Sequence, residues 1–196
     1  MPSPASRPPV SAFHALVEEH QRAVYGLAID LTGNRHDAED LMQDTFLKAY
    51  RSLEQFRGVD GQRRTWLYRI ATTTYLNTRR KKALTAMQLR PDMTTDGLAH
   101  GEHAASARPL SPPQAAAPDA AEQRQVNEHV ERALALLSPR ERTAFVLRHY
   151  HDQSIREVAA SLDIAEGTVK SLLFRATRKL RDALSFYRAD LGLSSS

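Results

Sequence analysis

The chain has no cysteine among its 196 residues. That excludes a disulfide framework, a thiolate zinc site and a thiol redox switch, and it fits a reducing compartment. No apolar run approaches the roughly 20 residues that cross a bilayer as a helix. The first ten residues, Met1–Val10, are rich in proline and serine and lack the apolar stretch of a secretory signal. The expectation is a soluble cytoplasmic protein with no membrane insertion. Catalytic signatures are missing too: there is no P-loop, no G-x-S-x-G, no G-x-G-x-x-G and no H-E-x-x-H. His100 and His103 lie around Glu102, and His149 and His151 flank Tyr150. Without cysteine or converging carboxylates they read as surface histidines rather than metal ligands. The expectation is a protein that is not an enzyme and has no catalytic residues, metal or cofactor. One further shortage is local: from Gly61 to Pro91 there is no Asp or Glu.

What is present is helical periodicity. Phe13, Leu16, Val17, Val24, Leu27, Ala28 and Leu31 recur at three- and four-residue steps, one face of a helix. Gly33 follows as a stop and Asn34 as a cap for the next helix. That second helix carries Ala38, Leu41, Met42, Thr45, Phe46, Ala49, Leu53 and Phe56 on one stripe. Asp37, Glu39 and Asp40 sit in its opening turn, at the positive end of the helix dipole. A third helix is expected over 63–82, with Trp66, Leu67, Ile70, Ala71 and Thr74 inward. No period-2 strand is evident, so the fold class is all-α.

Residues 83–121 break the pattern with five prolines and many Ala, Ser and Gly. So long a stretch without periodicity marks a flexible linker between two small domains that move independently. The expected organisation is a disordered lead-in at 1–10, a first domain at 11–82, the linker at 83–121, a second domain at 122–188 and a disordered tail at 189–196. In the second domain Val126, Val130, Ala133, Leu134 and Leu137 form a helical stripe. Ser138-Pro139-Arg140-Glu141 and Ser154-Ile155-Arg156-Glu157 each read as a capped helix start. The second domain is therefore four helices.

Two segments point to function. In the first, a helix with Ile155, Val158, Ala159 and Leu162 inward is joined by the turn Asp163-Ile164-Ala165 to a helix with Val169, Leu173, Ala176 and Leu180 inward. Glu166, Lys170, Ser171, Phe174, Arg175 and Arg178 are left toward solvent. Gly167 near the helix start would allow close approach to a backbone. A short outward helix with Lys, Arg, Ser and an aromatic is what reading base edges in a major groove requires. A helical hairpin with a solvated basic face is the plainer reading. The capping box and the outward Phe174 favour the DNA reader.

In the second segment, the acid-free stretch holds Arg63, Arg64, Arg69, Arg79, Arg80, Lys81 and Lys82, interleaved with Trp66, Tyr68 and Tyr75. Basic residues neutralise phosphates and aromatics stack on unpaired bases. The plainer reading makes Trp66 core and 79–82 a solvated helix end.

Asp37-Ala38-Glu39-Asp40-Leu41-Met42-Gln43-Asp44-Thr45-Phe46 through Phe56-Arg57-Gly58, then Thr65-Trp66-Leu67-Tyr68-Arg69-Ile70-Ala71, resembles region 2 of bacterial sigma factors. Gly167-Thr168-Val169-Lys170-Ser171, continuing to Phe174-Arg175-Ala176, resembles their region 4 recognition helix. With nothing substantial between the two, the chain is similar to the extracytoplasmic-function group of the sigma-70 family. The resemblance implies a protein that binds core RNA polymerase and directs it to promoter DNA. Asp40, Leu41, Gln43, Asp44, Leu47 and Lys48 would face the β′ clamp helices, and region 4 would sit on the β flap. Glu166, Thr168, Lys170, Ser171, Phe174, Arg175 and Arg178 would read the −35 element. Arg63, Arg64, Trp66, Arg69, Thr73, Asn77, Arg79, Arg80 and Lys81 would read and open the −10 element. An anti-sigma factor is a further implied partner.

Three positions depart from the family pattern. Thr73 stands where the family usually has Asn in the stretch that reads a flipped −10 base. Leu172 stands where Arg is common, which would remove a phosphate contact. Ala165 replaces a better capping residue. The alternatives are a stand-alone helix-turn-helix regulator, which would leave the Asp40–Phe56 helix and Trp66 unexplained, and a mimic that titrates an anti-sigma factor.

Overall fold

The computed structural model describes residues 10–56, 58, 62–88 and 119–190. Among them are seven α-helices, one short 3-10 turn and no strand. The expectations for residues 1–9, 89–118 and 191–196, His100 and His103 included, lie outside the described residues.

In the first half, α1 is Val10–Thr32, α2 is Arg35–Ser52 and α3 is Arg63–Gln88, with a 3-10 turn at Leu53–Gln55. Gly33 ends α1 at φ +75, a left-handed conformation that suits glycine. Asn34 caps α2, its side chain accepting the Asp37 N–H at 2.9 Å. Helix α3 runs six residues past the expected end at Lys82. Ala83, Leu84, Thr85, Ala86, Met87 and Gln88 contain no breaker, and the first proline is Pro91. The proline content of the wider 83–121 stretch hid this.

In the second half, α4 is Asp119–Ala135, α5 is Pro139–His149, α6 is Ile155–Leu162 and α7 is Glu166–Asp190. Helix α4 therefore starts three residues before 122, and α7 continues into the expected tail. Both expected capping boxes form. Ser138 accepts the Glu141 N–H and Glu141 accepts the Ser138 N–H, and Ser154 and Glu157 do the same.

Each half builds a core of its own. Leu16, Val24, Phe46, Ala49 and Leu67 pack together in the first, with Phe13, Met42 and Trp66 partly buried against them. Ala133, Leu134, Leu137, Ala176 and Leu180 do so in the second. A third cluster spans both halves. Leu27, Leu31, Leu41, Tyr68, Ala71 and Tyr75 are buried with Leu147, Val158, Ala159, Val169 and Leu172. The two halves, expected to move independently, are docked in this arrangement through a shared apolar seam.

Polar bonds line that seam. His151 Nε2 lies 2.9 Å from Asp30 Oδ2, and His151 Nδ1 lies 3.0 Å from the Tyr68 hydroxyl. With the carboxylate accepting from Nε2–H, Nδ1 is left to accept the Tyr68 proton. Arg142 donates from Nε and Nη2 to the Asp30 carbonyl at 3.0 and 2.8 Å, and pairs with Glu131 at 3.2 Å. Thr72 donates to the Ser161 carbonyl at 3.0 Å. His151 is thus no surface histidine. Its position after α5 carries it into the first half, a contact no local pattern could announce.

Candidate polymerase- and DNA-binding surfaces

Helix α7 follows α6 through a turn closed by Asp163, whose φ of 55 is left-handed. The carbonyl end of α6 is closed by Ile164 N–H donating to the Ala159 carbonyl at 3.1 Å. Ile164 tucks against the shared core, and this fixes α7 relative to α6. No side chain caps α7. The Thr168 and Val169 N–H groups bond the Ala165 carbonyl instead, as the residue at 165 requires.

Val169, Leu172, Ala176 and Leu180 are buried at steps of three and four. Leu172 is 4% exposed and belongs to the shared core. Its departure from arginine serves packing on the inner face in this arrangement. Leu173, expected inward, is half-buried. Glu166, Thr168, Lys170, Ser171, Phe174, Arg175 and Arg178 are all exposed, with Phe174 at 70%. A side chain at Gly167 would meet no protein atom within 4 Å, so the fold itself makes no demand for glycine there.

Arg175 is tied sideways: its Nε lies 3.3 Å from Glu141 Oε1, and Lys179 Nζ lies 2.7 Å from Glu141 Oε2. Burial opposes ionisation of Glu141. The bonds from Lys179 and Ser138 outweigh it and hold the carboxyl below its usual range.

On α3 the expected −10 residues divide. Trp66, Arg69, Thr73, Asn77 and Arg80 fall at three- and four-residue steps on one outward line. Arg69, Thr73, Asn77, Arg80 and Lys81 are exposed. Arg63, Trp66 and Arg79 are half-buried. Trp66 rests on Phe56 with ring centroids 4.9 Å apart. Arg64 is exposed and lies over the Tyr68 ring at 5.7 Å.

Two aromatics read as stacking platforms are not available for it. Tyr68 and Tyr75 are 1% and 6% exposed. Burial raises both phenol pKa values. The helix packs against the second half as well as the first, so its aromatics serve as seam. Arg69 pairs with Asp163 of the α6–α7 turn at 3.3 Å, joining the two candidate DNA surfaces directly.

On α2, Asp40, Gln43, Asp44, Leu47 and Lys48 are exposed on one side. Leu41 is the exception. It is 6% exposed in the shared core, because its spacing from Ala38 and Thr45 puts it on the inner face. Lys48 reaches back to α3, donating to the Thr74 hydroxyl at 2.8 Å. A cavity of about 240 Å3 lies between α2, the far end of α3 and the α4–α5 corner, with Asp40, Asp44, Arg79 and Arg142 in its wall. Among the described residues no group of three or more acidic or histidine ligands could hold a metal. No helix there is long and apolar enough to cross a membrane.

Sequence comparison matches residues 16–85 to sigma-70 region 2 and residues 128–180 to sigma-70 region 4. An ECF RNA polymerase sigma factor, SigE of Mycolicibacterium smegmatis, is 31% identical over 92% of this chain and 64% of its own length. The chain thus spans under two thirds of that relative. The RNA polymerase sigma-H factor of Pseudomonas aeruginosa is 34% identical over 88% of this chain and 86% of its own. Among solved structures, the sigma factor RpoE in complex with the anti-sigma factor NepR from Bartonella quintana superposes with a TM-score of 0.63 at 26% identity. That match covers 89% of this chain and 97% of RpoE.

Proposed function

Because the chain belongs to the extracytoplasmic-function group of the sigma-70 family, we propose that it binds core RNA polymerase and directs promoter-specific initiation in the cytoplasm. It acts by binding and performs no bond chemistry of its own. The observation that carries the reading is α7. All seven candidate −35 residues face solvent on a helix whose opposite side is core. Asp40, Gln43, Asp44, Leu47 and Lys48 supply an exposed polar stripe for the β′ clamp helices. The Trp66–Arg80 line on α3 supplies cations and one half-open indole for a melting −10 element. An anti-sigma factor is the natural regulator, since the Bartonella quintana relative was solved with one.

Reconstitution with core polymerase tests this. Promoter-specific run-off transcription from genomic DNA is the expected result. DNA binding without initiation would support a stand-alone regulator, and neither activity would support a mimic.

A further inference from the structure

We propose that Glu141, on α5 and outside the DNA-facing surface, is a positioning residue for −35 reading that acts by orienting Arg175. The inference rests on the reading of α7 as the −35 reader. Glu141 sits at the third position of α5, where a capping box needs only one neutral acceptor for the Ser138 N–H, met here at 2.9 Å. A glutamine would serve. Yet this side chain is a carboxylate, 5% exposed, that also gathers two cations from α7.

The two cations lie one turn apart on α7, Arg175 on Oε1 and Lys179 on Oε2. Burial of an unpaired carboxylate is costly, so the charge is kept for what it holds.

The geometry at Arg175 gives that holding a purpose. A guanidinium is a planar fork with five N–H donors. Glu141 takes the Nε edge at 3.3 Å, leaving the distal Nη1 and Nη2 groups of a 56%-exposed side chain free. Those groups form the pair that bonds guanine O6 and N7, or two phosphate oxygens. A buttressed arginine loses less rotamer freedom on binding than one free to sweep through solvent. Lys179 completes the arrangement. One carboxylate between two cations leaves a net positive unit, so Glu141 itself adds no uncompensated negative charge beside the DNA surface.

The test compares Glu141→Gln, Arg175→Ala, the double variant and Ser138→Ala as reconstituted holoenzymes on a panel of −35 variants of one promoter. Thermal unfolding is measured beside them. E141Q keeps an oxygen for the Ser138 N–H and loses the ion pairs. S138A weakens the cap and keeps them. E141Q is expected to flatten −35 discrimination about fivefold or more, at the same base positions as R175A. The double variant should be no worse than R175A alone. S138A should lower the melting temperature without changing discrimination.

Wild-type discrimination in E141Q, or losses that add in full, overturns the role of Glu141 while leaving α7 as the reader. Wild-type discrimination in R175A overturns the reading of α7 and the inference with it.

Discussion

His20 lies buried on α1 with no hydrogen bond to Nε2; Glu19 Oε1 is 3.7 Å away, beyond bonding distance. Burial lowers its pKa below the ordinary 6.5. Glu19 opposes the shift, while Arg63 and Arg64 add to it. The unfolded chain therefore binds this proton more readily than the native one. Stability from His20 staying neutral is present above pH 6.5 and is lost as pH falls toward the native pKa. Denaturant unfolding between pH 7 and 5 should show a falling stability whose slope is reduced in His20→Leu. An unchanged slope would mean other groups govern that window. The residue scale is also where the sequence misleads most. Tyr68, Tyr75 and His151 each have a surface reading that local pattern supports. Each is buried or drawn inward by the opposite half, and only the three-dimensional docking decides it.

Among elements, legibility follows the number of buried faces. Helices α1, α2 and α7 bury one side and show a clear period, so the outward line on α7 and the inward residues were readable, apart from Leu172 buried where Leu173 was expected. Helix α3 meets α1 and α2 on one side and α5 and α6 on another. It buries Thr72 and Thr74, whose hydroxyls bond the Arg69 and Ile70 carbonyls, and its period is blurred. The cap signals were readable because they are local.

Helix α6 has only eight residues, so its start matters. Ser154→Ala should cost about 1 kcal/mol by chemical denaturation. The Glu157 carboxyl is held below its usual range by the Ser154 hydroxyl and N–H. Its contribution is present above the ordinary value near 4.5 and is lost as pH falls through the native pKa. In S154A the acid-side loss should shrink. The polymerase stripe gives a test at the same scale. Asp40→Lys with Gln43→Lys reverses charge on an exposed line without touching the core, so core polymerase affinity should fall at least tenfold with helicity unchanged. Titration of labelled protein with core polymerase reads it. Unchanged affinity would put the interface elsewhere.

The docked seam sets a geometric problem for the whole molecule. Elements centred near −35 and −10 are separated by about 25 base pairs, or roughly 85 Å of duplex at 3.4 Å per step. In this structure Arg69 of the −10 surface touches Asp163, just ahead of the −35 helix, at 3.3 Å. On the proposed function, both surfaces cannot meet one straight promoter in this arrangement, so the halves would have to separate on the polymerase. Covalent geometry allows it: the thirty residues from 89 to 118 reach about 100 Å when extended. Separation breaks the Asp30–His151–Tyr68 chain and the Arg142 bonds and exposes the shared apolar cluster. On the same reading, polymerase contacts would replace that burial. Because the chain has no cysteine, the idea has a clean test. Arg69→Cys with Asp163→Cys supplies two unique thiols for a short, cleavable crosslinker. The crosslinked protein should retain its fold and fail to form open complexes, as read by permanganate footprinting. Cleaving the linker should restore the level of the uncrosslinked double variant. Full open-complex formation while the crosslink is intact would show that the docked arrangement is compatible with initiation, and the need for separation would fall.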